Sequence, residues 1–138
     1  MENTELKKKI LIADDDEMFI KLISNELTEI GLDVVSASNG EEAVLKAVEI
    51  KPDLILTDMI MPIKDGFQSI QELRAKPEFE KIKIIVFSSL GQEEDVNKAM
   101  SLGANGYLVK KDYSLKDLAS KVAQLLKDSY FIKYIEYY

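Results

Sequence analysis

Five short runs rich in Ile, Val and Leu, unbroken by polar alternation and separated by helix-periodic stretches, leave this chain few folds to choose from. The runs are Lys9 to Asp14, Asp33 to Ala37, Leu54 to Asp58, Ile82 to Ser88 and Gly106 to Lys110. A strand that is apolar on both sides must be covered on both faces, which a parallel sheet between two helix layers achieves. Between the runs, Phe19, Ile23, Leu27 and Ile30, then Ala43, Val44, Ala47 and Val48, recur at three or four residues, as one face of a helix does. Gly31 closes the first of these helices. The Ser38-Asn39-Gly40 turn starts the second, with Glu41 and Glu42 in its first turn, and Pro52 bars its continuation. Further helices are predicted over Phe67 to Lys76, Glu93 to Leu102 ending near Gly103, and Ser114 to Asp128 with Leu115, Leu118, Val122 and Leu125 inward. Five βα units with short connections predict a doubly wound α/β domain whose active groups gather at the carboxyl ends of the strands, near the switch in strand order.

At 138 residues the chain fits one domain over 9–128, preceded by a polar arm, 1–8, and followed by an aromatic extension, 129–138. The extension holds five of the eleven Tyr and Phe, enough to mark it off from the domain. Tyr130, Tyr134, Tyr137 and Tyr138 would share a face if the last helix continued, which suits packing on the domain or self-association; the composition equally suits a frayed end. A net charge of −7 argues against a grip on nucleic acid or anionic lipid. The absence of Cys excludes disulfides, thiolate zinc sites and Cys nucleophiles. The absence of His excludes Ser/His triads, imidazole ligands and any phosphohistidine carried by the chain itself. Lys7 to Lys9 precede an apolar run, Ile10 to Ala13, far shorter than the ~7–15 residues of a signal-peptide core, so a cytoplasmic protein without a membrane span is expected.

The acids that end two of the runs carry the chemistry. Asp14 to Glu17 stop the first run and Asp58 ends the third; on neighbouring parallel strands, Asp14, Asp15 and Asp58 meet at one edge. Close carboxylates raise one another's pKa unless a cation intervenes, and an all-oxygen cluster suits Mg²⁺. Ser88 and Lys110 end the fourth and fifth runs on the same edge and add a hydroxyl and a cation, a set able to hold a phosphoryl group during its transfer to a carboxylate. Each group alone has an ordinary explanation, an acidic helix start above all. The loop Met59 to Ile63 reads as a buried hinge and its Met side chains as core filler. The coincidence of five groups at strand ends is what points to a site.

From Lys8 to about Lys127 the chain resembles the receiver domains of bacterial two-component response regulators, through KILIADDD, PDLILTDMIMPIKDG, IIVFSS and GANGYLVK in that order. The resemblance, which extends to stand-alone chemotaxis-type receivers, implies a flavodoxin-like sheet of order 2-1-3-4-5. It implies Asp58 as phosphoacceptor, Asp15 as a direct Mg²⁺ ligand, Asp14 acting on the metal largely through water, and the Ile60 backbone carbonyl as a further ligand. Ser88 takes the switch hydroxyl position, Lys110 that of the phosphate-binding lysine, and Tyr107 that of the aromatic residue that swings inward on activation. Small Ser89 leaves the phosphoryl group accessible, and Pro62 and Gly66 match the loop after the acceptor. Ile60 and Leu90 occupy the two positions that flank the phosphoryl group; both being apolar and bulky, slow dephosphorylation is expected. The implied partners are a sensor histidine kinase or histidine phosphotransfer protein and an output partner met by the fourth and fifth helices, a surface also suited to self-association.

One departure concerns the loop after Lys110. Receivers commonly place Pro there, often after a cis peptide, whereas this chain has Lys111, then Asp112 and Tyr113. A cis bond without Pro costs about 2.5–4 kcal/mol, so a trans peptide is expected. Two other readings stand beside the receiver: a phosphohydrolase of the haloacid dehalogenase type, using Asp14 with Asp16 as its acid pair, and a phosphate-independent scaffold of receiver fold.

Overall fold

The computed structural model describes residues 7–127 and the backbone of residues 134–136. Strands β1 (Lys9–Ala13), β2 (Asp33–Ala37), β3 (Leu54–Thr57), β4 (Lys83–Ser88) and β5 (Gly106–Val109) alternate with helices α1 (Glu17–Glu29), α2 (Gly40–Ile50), α3 (Gly66–Arg74), α4 (Glu93–Leu102) and α5 (Leu115–Lys127). All strands pair in parallel, in the order β2-β1-β3-β4-β5, and a short strand β6 (Tyr134–Glu136) extends the sheet beyond β5. The expected order of five is thus observed.

Alternation along each strand sends apolar side chains to two cores. Ile10, Ile12, Leu54, Leu56, Ile85, Phe87 and Leu108 face α1 and α5, meeting Ile23, Leu27, Leu118 and Val122. Leu11, Ala13, Ile55, Ile84, Val86 and Val109 face the other side, against residues such as Ala43, Ala47, Ile70, Leu73, Val96 and Ala99 of α2, α3 and α4. Neither face is left for polar residues, which is why the strands read as continuous apolar runs.

Helix ends follow the polar residues that flank them. Asp16 caps α1, accepting the amides of Met18 and Phe19, and Asn39 caps α2 through the amide of Glu42. Asp65 and Gln68 form a capping box on α3. Gly103, at φ 119°, ends α4 in the left-handed conformation that a side chain disfavours. Arg74, in the last turn of α3, donates to the carbonyls of Gly103 and Phe79 and to Asn105 Oδ1, tying α3 to the entry of β5. Two single-turn 3-10 helices, Pro77–Phe79 and Lys110–Asp112, have no counterpart in the sequence expectations.

The helical continuation that would have put Tyr134 on a shared tyrosine face is not what residues 134–136 adopt. Residues 134–136 are extended, in register Gly106↔Tyr134, Tyr107↔Ile135 and Leu108↔Glu136. Without β6, β5 would present a row of unpaired amides and carbonyls, and a Tyr-Ile-Glu segment suits a strand better than a helix. Tyr130, Tyr137 and Tyr138 lie outside the described residues. No helix among the described residues is long and apolar enough to cross a membrane.

Removing residues 129–138 is expected to lower stability by about 1–3 kcal/mol, the worth of a few ladder hydrogen bonds, and to speed hydrogen exchange at β5. Urea unfolding and amide exchange check this; unchanged values would make β6 a dispensable appendage.

Candidate functional site

Strand register builds the site. Ala13 pairs with Ala37 of β2 on one side and Thr57 of β3 on the other. One residue further on, the Asp14 amide donates to the Ala37 carbonyl (3.0 Å) and the Asp58 amide to the Ala13 carbonyl (2.9 Å), so the two acids leave the sheet side by side. This is where the strand order reverses, with β1 between β2 and β3. Thr57 pairs with Val86, and Ser88 with Val109, which brings Ser88 and Lys110 to the same edge.

The four consecutive acids divide the work. Asp14 is only 2% exposed; its Oδ1 accepts the Asp16 amide (2.9 Å) and its Oδ2 the Lys110 ammonium (2.8 Å). Asp15 is exposed, and its carboxylate forms with Asp14 and Asp58 a set whose ligand atoms all lie within 4.8 Å of one another. Asp16 is spent on the α1 cap and Glu17 opens the helix. Asp14 and Asp16 therefore do not act as a catalytic pair, the arrangement the phosphohydrolase reading required.

Asp58, 7% exposed, is held at both oxygens: Oδ1 accepts the amides of Met59 (2.7 Å) and Ile60 (3.4 Å), and Oδ2 accepts from Lys110 (3.0 Å). Burial, helped by the charge of Asp58, raises the Asp14 pKa above the ordinary carboxylate value, against the opposing hydrogen bonds from Lys110 and the Asp16 amide. Burial also disfavours the Lys110 ammonium, but its bonds to Asp14 and Asp58 and their charges outweigh it, and its pKa lies above the usual lysine value. The cluster holds three carboxylates and the Lys110 ammonium pairs with two of them, Asp14 and Asp58, so negative charge remains uncompensated in a small volume. An oxygen-only donor set with that excess fits a hard divalent cation of the Mg²⁺ kind.

Ser88 is fully buried, its Oγ accepting the Leu90 amide (3.3 Å), while Ser89 is exposed. Tyr107 is also fully buried and donates from its hydroxyl to the Leu90 carbonyl (2.7 Å). Burial, with the Asp95 charge adding, pushes its pKa up to about 12. The ring thus already lies inward here, where the resemblance places it only after activation. The loop after Asp58 is a buried hinge only in part: Met59 and Met61 are buried, but Ile60 and Ile63 are 56% and 76% exposed. The Lys110–Lys111 peptide is trans, as expected.

Sequence reasoning missed two aromatic neighbours of the site. Phe19, read only as a helix-stripe residue, and Phe87, which figured only within the fourth apolar run, stack at 5.5 Å beside the Lys110 ammonium. Their spacing in sequence gives no hint of this, since they meet only when β1, β3 and β4 are assembled. A surface groove between α1 and α5, past Lys8, Glu29 and Lys127, shares no residue with the acid cluster.

Residues 10–123 match the family model of the response regulator receiver domain. Among curated proteins, the chain is 37% identical over 127 residues to the probable transcriptional regulator ycf27 of Pyropia yezoensis, covering 92% of this chain and 50% of that protein. It is 35% identical over 126 residues to the alkaline phosphatase synthesis transcriptional regulatory protein PhoP of Bacillus subtilis, covering 90% and 50%. The chain thus spans about half the length of these curated relatives. Among solved structures it is similar to the chemotaxis response regulator CheY4 of Vibrio cholerae, with TM-score 0.80, 26% identity and coverage of 88% and 99%. It is also similar to a chain of the CheX-CheY-BeF3-Mg²⁺ complex of Borrelia burgdorferi, with TM-score 0.78, 25% identity and coverage of 88% and 90%.

The backbone beside Asp58 leaves no room at Gly66, where an added Cβ would lie 2.1 Å from the Asp58 carbonyl oxygen and 2.5 Å from Met59 Cε. Gly66→Ala is expected to cost about 1–3 kcal/mol in urea unfolding, as overpacking does, and to weaken Mg²⁺ binding by displacing Asp58. A variant with wild-type stability and metal affinity would show that the loop yields freely.

Proposed function

We propose, from the fact that this chain belongs to the response regulator receiver family, that Asp58 accepts a phosphoryl group from a phosphohistidine and that the result is a changed binding surface. The chain is a receiver domain of two-component signalling, a phosphoacceptor rather than an enzyme that releases a product. The observation that carries the site assignment is the Lys110 ammonium hydrogen-bonded to both Asp14 and Asp58 beside exposed Asp15.

The donor is another molecule, because this chain has no His. A histidine kinase or histidine phosphotransfer protein is the partner class. In the transfer the donor's N–P bond breaks as a bond forms between phosphorus and an Asp58 carboxylate oxygen. The Met59 amide and Lys110 hold that carboxylate in place, and Lys110 then neutralises part of the charge on the phosphoryl oxygens. Asp14, Asp15, Asp58 and the Ile60 carbonyl are the residues that would hold Mg²⁺, which when bound supplies further compensation of phosphate charge. Ser88, whose Oγ accepts the Leu90 amide, reads the phosphoryl group by donating its O–H to it, and Tyr107, bonded to the Leu90 carbonyl, senses the same loop. The output surface lies on α4 and α5, shifting between two pre-existing states. The cytoplasm, where kinase and acetyl phosphate occur together, is the proposed location.

Acetyl phosphate with Mg²⁺ is expected to add one phosphoryl mass to the wild-type chain and none to Asp58→Asn, or to either without Mg²⁺, read by intact-mass spectrometry. Labelling that persists in Asp58→Asn would remove Asp58 from its role; an unlabelled wild type would leave a receiver-fold scaffold independent of phosphate.

The lifetime of the phosphorylated state follows from Ile60 and Leu90. Neither side chain offers a hydrogen bond to an attacking water, and Leu90 is fixed through both its amide and its carbonyl. Ile60→Asn with Leu90→Glu is expected to speed hydrolysis of phospho-Asp58 by roughly a hundredfold, the low end for positioning a water by general-base assistance, with Mg²⁺ affinity little changed. A phosphate-release time course no faster than wild type would refute this control.

A further inference from the structure

We propose that Phe19 is a positioning residue for phosphoryl transfer, its ring stacked on Phe87 and holding the Lys110 ammonium at the acid cluster. The proposal rests on the receiver reading of the site and names a part of it that the sequence did not show.

The geometry is a small aromatic floor. Lys110 Nζ stands over the Phe19 ring, 5.3 Å from its centroid, and 6.0 Å from the centroid of Phe87, within the reach of cation–π attraction. The two rings are nearly parallel, at 23°. Tyr113 meets Phe87 edge-on at 6.2 Å and closes the 3-10 turn that begins at Lys110, its amide donating to the Lys110 carbonyl (3.3 Å). Phe19 is fixed in turn, because its amide is bonded to the Asp16 cap of α1 (3.1 Å). Contacts between rings thus join the segments after β1 and β5 to the end of β4, and all three meet at one ammonium.

The need for such a floor follows from the reaction. Lys110 is a flexible four-carbon stem whose polar contacts at this edge are the carboxylates of Asp14 and Asp58. Both partners change during function: a bound divalent cation competes for their charge, and transfer converts Asp58 into an acyl phosphate. The negative ring face of Phe19 is unaltered by either event, so it restrains the ammonium at the stage when its ion pairs are weakest. An aliphatic side chain of similar volume would fill the space without attracting the charge.

The test replaces Phe19 with a series of ring-fluorinated phenylalanines, from 4-fluoro to pentafluoro, which keep approximate size while draining the ring face of negative potential. Acetyl phosphate labelling of Asp58 is expected to slow progressively, by about three- to tenfold at the end of the series, while Mg²⁺ affinity and unfolding midpoint stay near wild type. The second readout needs neither metal nor phosphate. In the metal-free protein the Lys110 ε-methylene protons should resonate upfield, chiefly through the ring current of Phe19, and Phe19→Leu should shrink that displacement to what Phe87 contributes. Labelling rates that stay flat across the series would overturn the proposal, as would rates that fall only in step with stability or unshifted Lys110 protons. A wild type that takes no phosphoryl group refutes the receiver chemistry and this proposal with it, whereas a labelled wild type with a flat series refutes the proposal alone.

Discussion

The pairing of β1 with β3 in one particular register is the constraint on which the rest depends. With Ala13 opposite Thr57, Asp14 and Asp58 stand next to each other; a slip of one residue would turn Asp58 toward the opposite face of the sheet. The apolar pattern forbids such a slip, because Leu54 and Leu56 are buried against α1 and α5 while Ile55 is buried against α2 and α3. The same hydrophobic burial that stabilises the fold therefore also fixes the position of two carboxylates that repel each other. Burial alone would not hold them: Lys110, from the 3-10 turn that follows β5, stabilises the arrangement by pairing with both.

Much of this was legible in the sequence because it is encoded locally. The runs that became β1 to β5 were continuous and apolar, and Asp16, Asn39 and Gly103 stand where helix ends need them. Asp14, Asp15, Asp58, Ser88 and Lys110 could be placed together since each ends a strand, and strand ends share an edge whatever the details of packing. The parts not legible are those made by assembly. Phe19 and Phe87 have apolar neighbours and ordinary spacing, so only the assembled structure shows a stacked pair under an ammonium. The exposure of Ile60 and Ile63 depends on a turn in which Ile63 takes φ 71°, a conformation a β-branched residue rarely adopts and one its sequence argued against. β6 escaped notice because a three-residue strand carries almost no periodic signal, and the Tyr spacing around it matched a helix by coincidence.

The inward position of Tyr107 bears on how the switch is poised. Its hydroxyl holds the Leu90 carbonyl while Ser88 holds the Leu90 amide, so a single residue of the loop after β4 is gripped from both sides. Ser88 Oγ is the acceptor in its bond with the Leu90 amide, and its O–H is the group that would donate to a phosphoryl oxygen. In the proposed switch that O–H gains a charged acceptor once Asp58 carries a phosphoryl group. Hydrogen bonds to charged groups are roughly twice as strong as neutral ones, which sets the direction of the change.

Tyr107 also lies within β5, whose register places it opposite Ile135 of β6 on one side and Val86 of β4 on the other. Tyr107, whose hydroxyl is bonded to the loop after β4, is therefore also a rung of the last ladder in the sheet. A shift of β5 large enough to move the Tyr107 backbone must strain or break that ladder, and conversely an intact ladder favours the β5 position seen here, with Tyr107 inward. Residues 134–136, within the aromatic extension that composition alone marked as separate from the domain, thus pair directly with the strand that carries Tyr107.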